Sequence, residues 1–319
     1  MQPPRTQANP SKASRFAIRV AAAVAFCLVP TLGFAQPATA TGPLSTKQQA
    51  LEAIPAIGPQ AAQLVIIIDD LGHELRRGTL ATELPGNITL AVLPYTRHGD
   101  HLARVGHQAG KEIMLHAPMS TLNDQHLGTG ALTLDLSEAE FRATLNAAIL
   151  QVPHLQGVNN HMGSELTQHP QQMVWLMDEL KRQGLYFVDS RTSKETVAAR
   201  IAQEQRVANL SRQVFLDNER TSEAIEERFN AALAIARESG LAVVIGHPHR
   251  VTLEYLAQVL PGLAEQGIAL ASVSEVLSQQ SQGNSPAGVI TDSPEPEDEV
   301  LNEEVQEAQS LTSIPREAM

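Results

Sequence analysis

Aspartate and histidine residues follow several short apolar segments of this sequence, an arrangement typical of a metal-dependent hydrolytic site. Asp69 and Asp70 end the first segment, His116 ends another, and His161 lies at the end of a third. Imidazole nitrogens and carboxylate oxygens are ligands of zinc, and a catalytic zinc site keeps one position open for water. Asp70, His116 and His161 therefore form a candidate ligand set, with Asp69 beside them as a candidate general base.

Further polar residues follow the other apolar segments. His247 and His249 lie in the segment Gly-His-Pro-His, and either could act as a general acid. Arg191 could hold Asp69 electrostatically or bind an anionic group of a substrate, and an ordinary salt bridge to Asp189 is an equally simple interpretation. The residues expected to contact substrate or to support the ligands are Asn160, Ser164, Asp189, Arg191 and His249.

Eight apolar segments predict buried β-strands. They are residues 64–68, 88–93, 112–116, 156–160, 185–189, 213–217, 241–246 and 268–273. Near-continuous apolar runs, rather than strict alternation, are typical of a parallel sheet covered on both faces.

Amphipathic stretches between these segments predict helices. A capping box at Ser137 and Glu140 begins a helix that we expect to run through Val152. Helices over 170–183 and 222–239 each stop at a glycine, which suits the left-handed closing position.

The alternation of strands and helices over about 220 residues predicts an α/β fold, either a (β/α) barrel or an open doubly wound sheet. Neither a GxGxxG nor a GxxxxGK[ST] motif follows the first strand, which disfavours dinucleotide and P-loop sites. In both folds the carboxyl ends of the strands surround one crevice, so we expect the polar residues described above to converge there.

The chain has 319 residues and a formal net charge of −12, which is unevenly distributed. Residues 1–35 carry +4, residues 281–319 carry −8, and residues 36–280 carry the remaining −8. An acidic body repels phosphate backbones, so we expect no nucleic-acid partner, and binding to an anionic membrane surface is disfavoured.

Composition divides the chain into four predicted segments. Residues 1–35 are interpreted as a signal peptide, and residues 36–62, rich in Ala, Pro, Thr and Gln, as a linker. Residues 63–280 form the predicted single folded domain, and residues 281–319 form a disordered acidic C-terminal tail.

The N-terminal segment predicts export to the periplasm or secretion. Basic residues precede the apolar run 20–34, and small residues precede a cleavage point after Ala35. An uncleaved N-terminal anchor is the alternative. Cys27, the single cysteine, lies inside this run, so cleavage would remove disulfides and thiolate ligands from consideration.

Five motifs, in chain order, resemble the divergent polysaccharide deacetylases of bacterial envelopes, in particular their YibQ-like branch. The motifs are IIIDDLGH, EIMLHAPM, GVNNHMGS, YFVDSRTS and VVIGHPH, and the resemblance extends over about residues 62–280. It implies a deformed (β/α) barrel of the polysaccharide deacetylase type, in which metal-activated water hydrolyses N- or O-acetyl groups of glycans.

The resemblance also implies roles for four residues. Asp69 matches the catalytic base and Asp70 the metal-binding residue of the family's paired aspartates. His116 matches the first histidine of the His-x-x-x-His pair found in the wider superfamily, and His247 matches the late-strand histidine that acts as general acid.

Two positions depart from the wider superfamily. Ser120 stands where the second histidine of the pair is found, and His161 is the candidate replacement because it ends the next strand. The segment Asn159–Ser164 takes the place of the Arg-Pro-Pro-Tyr-Gly segment that orients the base.

Two functions follow as hypotheses. The first is a periplasmic metal-dependent hydrolase, with Zn²⁺ as the expected ion, that removes acetyl groups from an envelope polysaccharide or a peptidoglycan-type glycan. The second is a non-catalytic or vestigial barrel that binds a glycan or an envelope protein partner. A different metal-dependent hydrolysis at the same site is a third possibility. The sequence is compatible with a monomer and with an oligomer.

Overall fold

A computed structural model of the chain describes residues 61–123 and 125–283, and every strand pair within these ranges is parallel. The predicted segments 1–35, 36–62 and 281–319 lie wholly or almost wholly outside them. No helix in the described ranges has both the length and the apolar character needed to span a bilayer.

The strands and helices alternate along the chain, as the sequence predicts. The strands are β1 (Ala62–Leu71), β2 (Ile88–Val92), β3 (Glu112–Met119), β4 (Leu155–Met162), β5 (Tyr186–Asp189), β6 (Asn209–Ser211), β7 (Val214–Phe215), β8 (Leu241–Gly246) and β9 (Ile268–Leu270). The helices are α1 (Leu75–Thr82), α2 (Gly99–Gln108), α3 (Glu138–Ile149), α4 (Pro170–Gln183), α5 (Ala198–Gln205), α6 (Ser222–Ser239), α7 (Arg250–Val259) and α8 (Val273–Ser281).

The order of the strands requires the sheet to curl into a deformed barrel. The order is β6-β5-β4-β3-β2-β1-β8-β7, so β6 and β7 lie at opposite ends of the sheet, yet only Arg212 and Gln213 separate them in sequence. The Arg212 N–H donates to the Asp189 carbonyl in β5, and the Gln213 N–H donates to the Val243 carbonyl in β8, both at 2.9 Å. The chain therefore crosses a seam here, and the barrel is confirmed over the open sheet.

Strand β1 pairs with three other strands, β2, β8 and β9. One of its edges pairs with β8 from Gln63 to Ile68. The other edge is shared, because β9 pairs with Ala62–Leu64 and β2 pairs from Ile66 onward. All five residues of the predicted segment 64–68 are fully buried.

The apolar runs of the strands fill two separate cores. Alternate residues of β1, such as Leu64 and Ile66, pack with the helices in the larger cluster. Val65 and Ile67 instead belong to a smaller cluster with Met114 and other inward-facing residues inside the curled sheet. Because both faces of the strands are covered, continuous apolar runs mark these strands better than an alternating pattern does.

Helix α8 closes the amino-terminal end of the barrel. Its Val273 and Val276 belong to the inner cluster. The buried carboxylate of Glu112, at the start of β3, accepts hydrogen bonds from the Tyr186 hydroxyl at 2.8 Å and from the Ser274 N–H at 3.2 Å. A carboxylate at a helix N-terminus is favourable, so this contact anchors α8 to the sheet.

The differences from the predicted elements have local causes. β6 was not predicted, because Asn209–Ser211 contains a single apolar residue. Helix α3 ends at Ile149 rather than Val152, since Pro153 disfavours helical backbone at the residue before it. The last predicted strand stops at Leu270 because Ser272 is already the N-cap of α8.

Arg212 at the seam provides a test of this closure. Its side chain is buried, donates through Nε to the Ser190 carbonyl at 2.6 Å and through Nη2 to the Arg191 carbonyl at 2.9 Å, and lies 3.6 Å from the centre of the Phe215 ring. We expect Arg212→Ala to reduce the free energy of unfolding by about 3 kcal/mol or more, because one buried and one partly buried carbonyl lose charge-assisted partners. Urea unfolding followed by circular dichroism measures this change.

The control is Arg200→Ala, which removes an exposed arginine that pairs with Glu204, one helical turn away. Exposed pairs of this kind contribute little to stability. Equal urea midpoints for the two variants would contradict the proposed role of Arg212 in closing the barrel.

Candidate metal and catalytic site

The inward-facing rows of side chains change from apolar to polar at the carboxyl ends of the strands. Asp69 lies two residues beyond Ile67, and His116 lies two residues beyond Met114, where both apolar residues belong to the inner core. Because side chains alternate along a strand, residues two apart face the same side. The polar residues of different strands therefore meet above the inner core.

Asp70, His116 and His161 bring three possible ligand atoms together. Oδ1 of Asp70 lies 3.2 Å from Nε2 of His116 and 3.0 Å from Nδ1 of His161, and the two nitrogens are 3.0 Å apart. Neighbouring ligands of a tetrahedral zinc ion, each at about 2.0–2.1 Å, are separated by about 3.3 Å. The sequence-predicted ligand set is thus assembled, and its spacing fits a small divalent ion.

The surroundings of Asp70 Oδ1 support this fit. The atom is buried, and no donor in the described part of the chain is oriented to make a hydrogen bond to it. Burial by itself raises the pKa of Asp70, but His161 and His116 outweigh it and lower the pKa well below its usual value. A buried, ionised oxygen without a well-directed donor is suited to a cation.

The backbone at Asp70 explains how two consecutive aspartates reach one site. Asp70 has φ +57°, and the pairing of β1 with β2 shifts register between Ile68 and Leu71. A left-handed backbone costs a non-glycine residue about 1–3 kcal/mol, and such strain is concentrated at functional sites. The irregularity breaks the alternation of the strand and turns both carboxylates toward the site.

His161 lies beside Asp70 and His116, and Ser120 is not part of this group. The Ser120 carbonyl accepts hydrogen bonds from the N–H groups of Glu165 and Leu166, both at 3.1 Å. These contacts tie the end of β3 to the loop after β4, and His161 itself lies near the end of β4, paired with Pro118 of β3. The histidine from β4 thereby stands beside His116.

Asp69 is held by Asn159, which lies opposite His116 in the register of β3 and β4. Nδ2 of Asn159 donates to both Asp69 oxygens, at 2.9 and 3.1 Å, while Oδ1 lies 2.8 Å from Nδ1 of His116. Burial raises the pKa of Asp69 above its usual value, although His116 and His247 oppose the shift. A carboxylate with a raised pKa is a stronger proton acceptor.

His247 is oriented by Asp217, which the sequence analysis did not single out. Nδ1 of His247 lies 2.9 Å from Oδ1 of Asp217, and Oδ2 accepts from the His247 N–H at 2.8 Å and the Thr252 hydroxyl at 2.7 Å. Burial raises the pKa of Asp217, but the nearby His247 outweighs it and lowers the pKa below its usual value. Nε2 of His247 lies 4.0 Å from Oδ2 of Asp70, so this ring faces the ligand group.

Of the two candidate acids, His247 has the better geometry. Burial lowers the pKa of His249 to about 4, so this ring is neutral at physiological pH. Asp217, His247 and His249 form a second group whose possible ligand atoms lie within 4.8 Å of one another. Both Asp217 oxygens already accept hydrogen bonds there, which suits proton transfer better than metal binding.

Asn160 and Ser164 support the loops around the site. Nδ2 of Asn160 donates to the Met162 carbonyl at 2.7 Å, and its Oδ1 accepts from the Ser190 N–H at 2.9 Å. Oγ of Ser164 accepts from the Leu122 N–H at 3.2 Å. Both predicted residues therefore link neighbouring strand ends.

Asp189 contacts Arg191 through the backbone rather than through a salt bridge. Its carboxylate accepts from the N–H groups of Arg191 and Ala199 and from the Thr196 hydroxyl, at 2.9–3.3 Å. Within the described ranges, no ion pair joins the Arg191 guanidinium to Asp69 or Asp189. Arg191 has φ +51° and turns its N–H toward Asp189; its charge also lowers the pKa of this carboxylate, although burial, the larger effect, raises it.

The sequence patterns did not mark Asn159 as an individual residue, nor Asp217 or Arg212, although their contacts organise the candidate site and the seam of the barrel. Asp217 ends the predicted strand 213–217, so its position at a strand end was a usable signal. The roles of Asn159 and Arg212 depend on contacts across the barrel, which no local pattern marks.

Fold and site together define a class: a curled parallel (β/α) barrel with paired aspartates and histidines at the carboxyl ends of its strands. The chain belongs to the divergent polysaccharide deacetylase family, whose family model matches residues 66–277. The family expected from the five motifs is thus confirmed.

Three individual proteins are similar to this chain. The uncharacterized protein YibQ of Escherichia coli (strain K12) is 35% identical over 236 residues, which cover 73% of this chain and 74% of YibQ. An uncharacterized protein of Haemophilus influenzae is 35% identical over 204 residues, covering 64% of this chain and 73% of the relative. The crystal structure of an uncharacterized protein from Agrobacterium tumefaciens C58 matches with a TM-score of 0.66 at 20% identity, covering 69% of this chain and 91% of that one, and supports the fold.

The ligand group predicts stoichiometric metal binding. We expect the purified protein to bind about one equivalent of Zn²⁺ per chain, measured by elemental analysis and by titration calorimetry. The triple variant Asp70→Ala/His116→Ala/His161→Ala should lose this binding, because all three ligand side chains are removed.

A matched control for the metal-binding experiment removes two histidines that lie outside the candidate metal site. His107 and His154 stack on each other with ring centres 4.0 Å apart and lie outside both groups of possible ligands. The variant His107→Ala/His154→Ala should retain the metal. Metal binding that persists in the triple variant would show that other residues hold the ion.

Proposed function

We propose that this protein is a metal-dependent hydrolase that removes acetyl groups from an envelope glycan. The observation that carries the proposal is the convergence of Asp70, His116 and His161 on one point beside Asp69 and His247. Membership of the divergent polysaccharide deacetylase family supports a glycan as the substrate class.

The residues present fit zinc. Two imidazoles and one carboxylate form a ligand set known from catalytic zinc sites. Zn²⁺ bound by Asp70, His116 and His161 supplies a Lewis acid that polarises an acyl carbonyl and lowers the pKa of water.

Asp69 acts as the general base in this proposal. Its carboxylate lies 3.7 Å from Nε2 of His116, next to the ligand group but held apart from it by the hydrogen bonds to Asn159. The raised pKa of Asp69 favours acceptance of a proton from the attacking water.

His247 acts as the general acid. Because Asp217 accepts the proton on Nδ1, Nε2 is the nitrogen that faces the site. The ionised Asp217 stabilises the imidazolium form, which donates its Nε2 proton to the departing amine or alkoxide.

The proposed location is the periplasm or the cell exterior. Support comes from the basic residues, the apolar run 20–34 and the small residues before Gln36, all of which precede the described part of the chain. Cell fractionation with mass analysis should find a mature chain that begins at Gln36. A full-length chain retained in the membrane fraction would contradict cleavage.

The roles of Asp69 and His247 can be distinguished by comparing two substrates whose leaving groups differ in their need for a proton. With acetylated chitooligosaccharides or peptidoglycan fragments, Asp69→Asn and His247→Ala should each reduce acetate release by about 10²–10⁴-fold. With p-nitrophenyl acetate, whose leaving group needs no proton, His247→Ala should have little effect while Asp69→Asn stays impaired. Acetate and nitrophenolate release are the measurements.

The alternative function gives a different result. A barrel that binds a glycan or an envelope protein without chemistry would release no acetate, or would release equal amounts as wild type and as Asp69→Asn. Equal losses with both substrates for His247→Ala would argue against its role as the acid.

A further inference from the structure

The amide of Asn159 has one favourable orientation. An ionised carboxylate only accepts hydrogen bonds, and Nδ2 of Asn159 lies 2.9 and 3.1 Å from the two Asp69 oxygens. A rotated amide would place Oδ1 against both carboxylate oxygens. Nδ2 therefore faces Asp69, and it also approaches the Ser190 hydroxyl at 3.4 Å.

This orientation determines which nitrogen of His116 carries the proton. Because Nδ2 faces Asp69, Oδ1 of Asn159 faces Nδ1 of His116 at 2.8 Å and can only accept. Nδ1 must then be the protonated nitrogen. In the neutral ring this leaves the lone pair on Nε2, the atom that lies 3.2 Å from Asp70 Oδ1.

The backbone and the burial of these groups keep the arrangement in place. His116 and Asn159 are directly paired in the parallel register of β3 and β4. Asn159 is fully buried, and His116 and Asp69 are each 2% exposed. Water has little access to replace either hydrogen bond of the amide.

We propose that Asn159 is a positioning residue that couples the general base to the metal ligand: Asp69 orients its amide, and the amide holds His116 in the tautomer whose Nε2 can bind a cation. The inference rests on the proposed metal site. It does not require that the protein release acetate, because tautomer and metal affinity are properties of the protein without substrate.

Three variants of Asn159 test whether zinc binding depends on a hydrogen-bond acceptor opposite Nδ1 of His116. Asn159→Ala and Asn159→Leu remove the acceptor for His116 and should weaken Zn²⁺ binding by about 10–100-fold, the usual effect of losing a residue that supports a ligand. Asn159→Asp keeps an acceptor opposite Nδ1. Two adjacent carboxyl groups share one proton, so the new side chain can still donate to Asp69, and this variant should retain the affinity to within a small factor. Competition with a zinc chelator measures all three.

The tautomer is read directly by ¹⁵N NMR of the ring nitrogens in metal-free protein with labelled histidine, with His116→Gln identifying the signals. At a pH high enough for the imidazole to be neutral, wild type and Asn159→Asp should show a protonated Nδ1 and an unprotonated Nε2, and Asn159→Ala should lose this preference. Asn160→Ala is the control, since Asn160 is equally buried but bonds to Met162 and Ser190 instead. This control should keep the His116 pattern.

The results distinguish the two proposals. A wild-type His116 protonated at Nε2, or unchanged tautomer and affinity in Asn159→Ala, would overturn the positioning role. If neither Asn159→Ala nor Asn159→Leu folds, the wild-type tautomer and the zinc affinity of Asn159→Asp still test the positioning role of Asn159. The expected tautomer and affinities without acetate release would leave the positioning role intact and reject the hydrolase.

Discussion

Each strand of the curled sheet supplies side chains to two cores, one between the sheet and the helices and one inside the curl. This constraint determines where both the cores and the candidate site lie. Every second side chain packs against the helices, while the intervening ones fill the small space inside the curl. The inward rows are apolar up to Ile67, Met114 and Ile245, and continue as polar residues beyond them. The site is thus the upper layer of the inner core, supported from below by close packing and from the sides by paired strands.

Asp69 and Asp70 show how one irregular backbone position gives two identical, adjacent side chains different environments. Asp69 follows the regular alternation and is enclosed, where burial raises its pKa and Asn159 holds it. Asp70 has left-handed backbone, and its imidazole neighbours lower its pKa. Environments that push the pKa values of neighbouring carboxyl groups in opposite directions allow one to accept protons while the other stays ionised as a ligand.

Most of the strands and the location of the candidate site could be predicted from the sequence. Buried parallel strands have a strong apolar signal, and their carboxyl ends must converge. The ligand group of Asp70, His116 and His161 follows from those two facts. Strand β6 could not be predicted, because a segment of three residues with one apolar side chain has no recognisable hydrophobic pattern.

The contacts of Asn159, Asp217 and Arg212 could not be predicted for a different reason. The pairing of Asn159 with His116 depends on the register of two strands, and its contact with Asp69 crosses the interior from β4 to β1. Arg212 matters because of where the sheet closes, which only the full strand order reveals.

The pairing of β1 with β8 and β9 has a consequence for how the chain acquires its structure. Ala62–Leu64 is made early in synthesis, but its partner Ile268–Leu270 emerges about 200 residues later, on the order of 10–40 seconds at usual elongation rates. During that interval the first residues of β1 have an open hydrogen-bonding edge beside a run of five apolar residues. Non-local pairing of this kind slows folding and exposes the nascent chain to aggregation. The segment that later pairs with three strands of the barrel therefore needs protection from aggregation until those strands have been made.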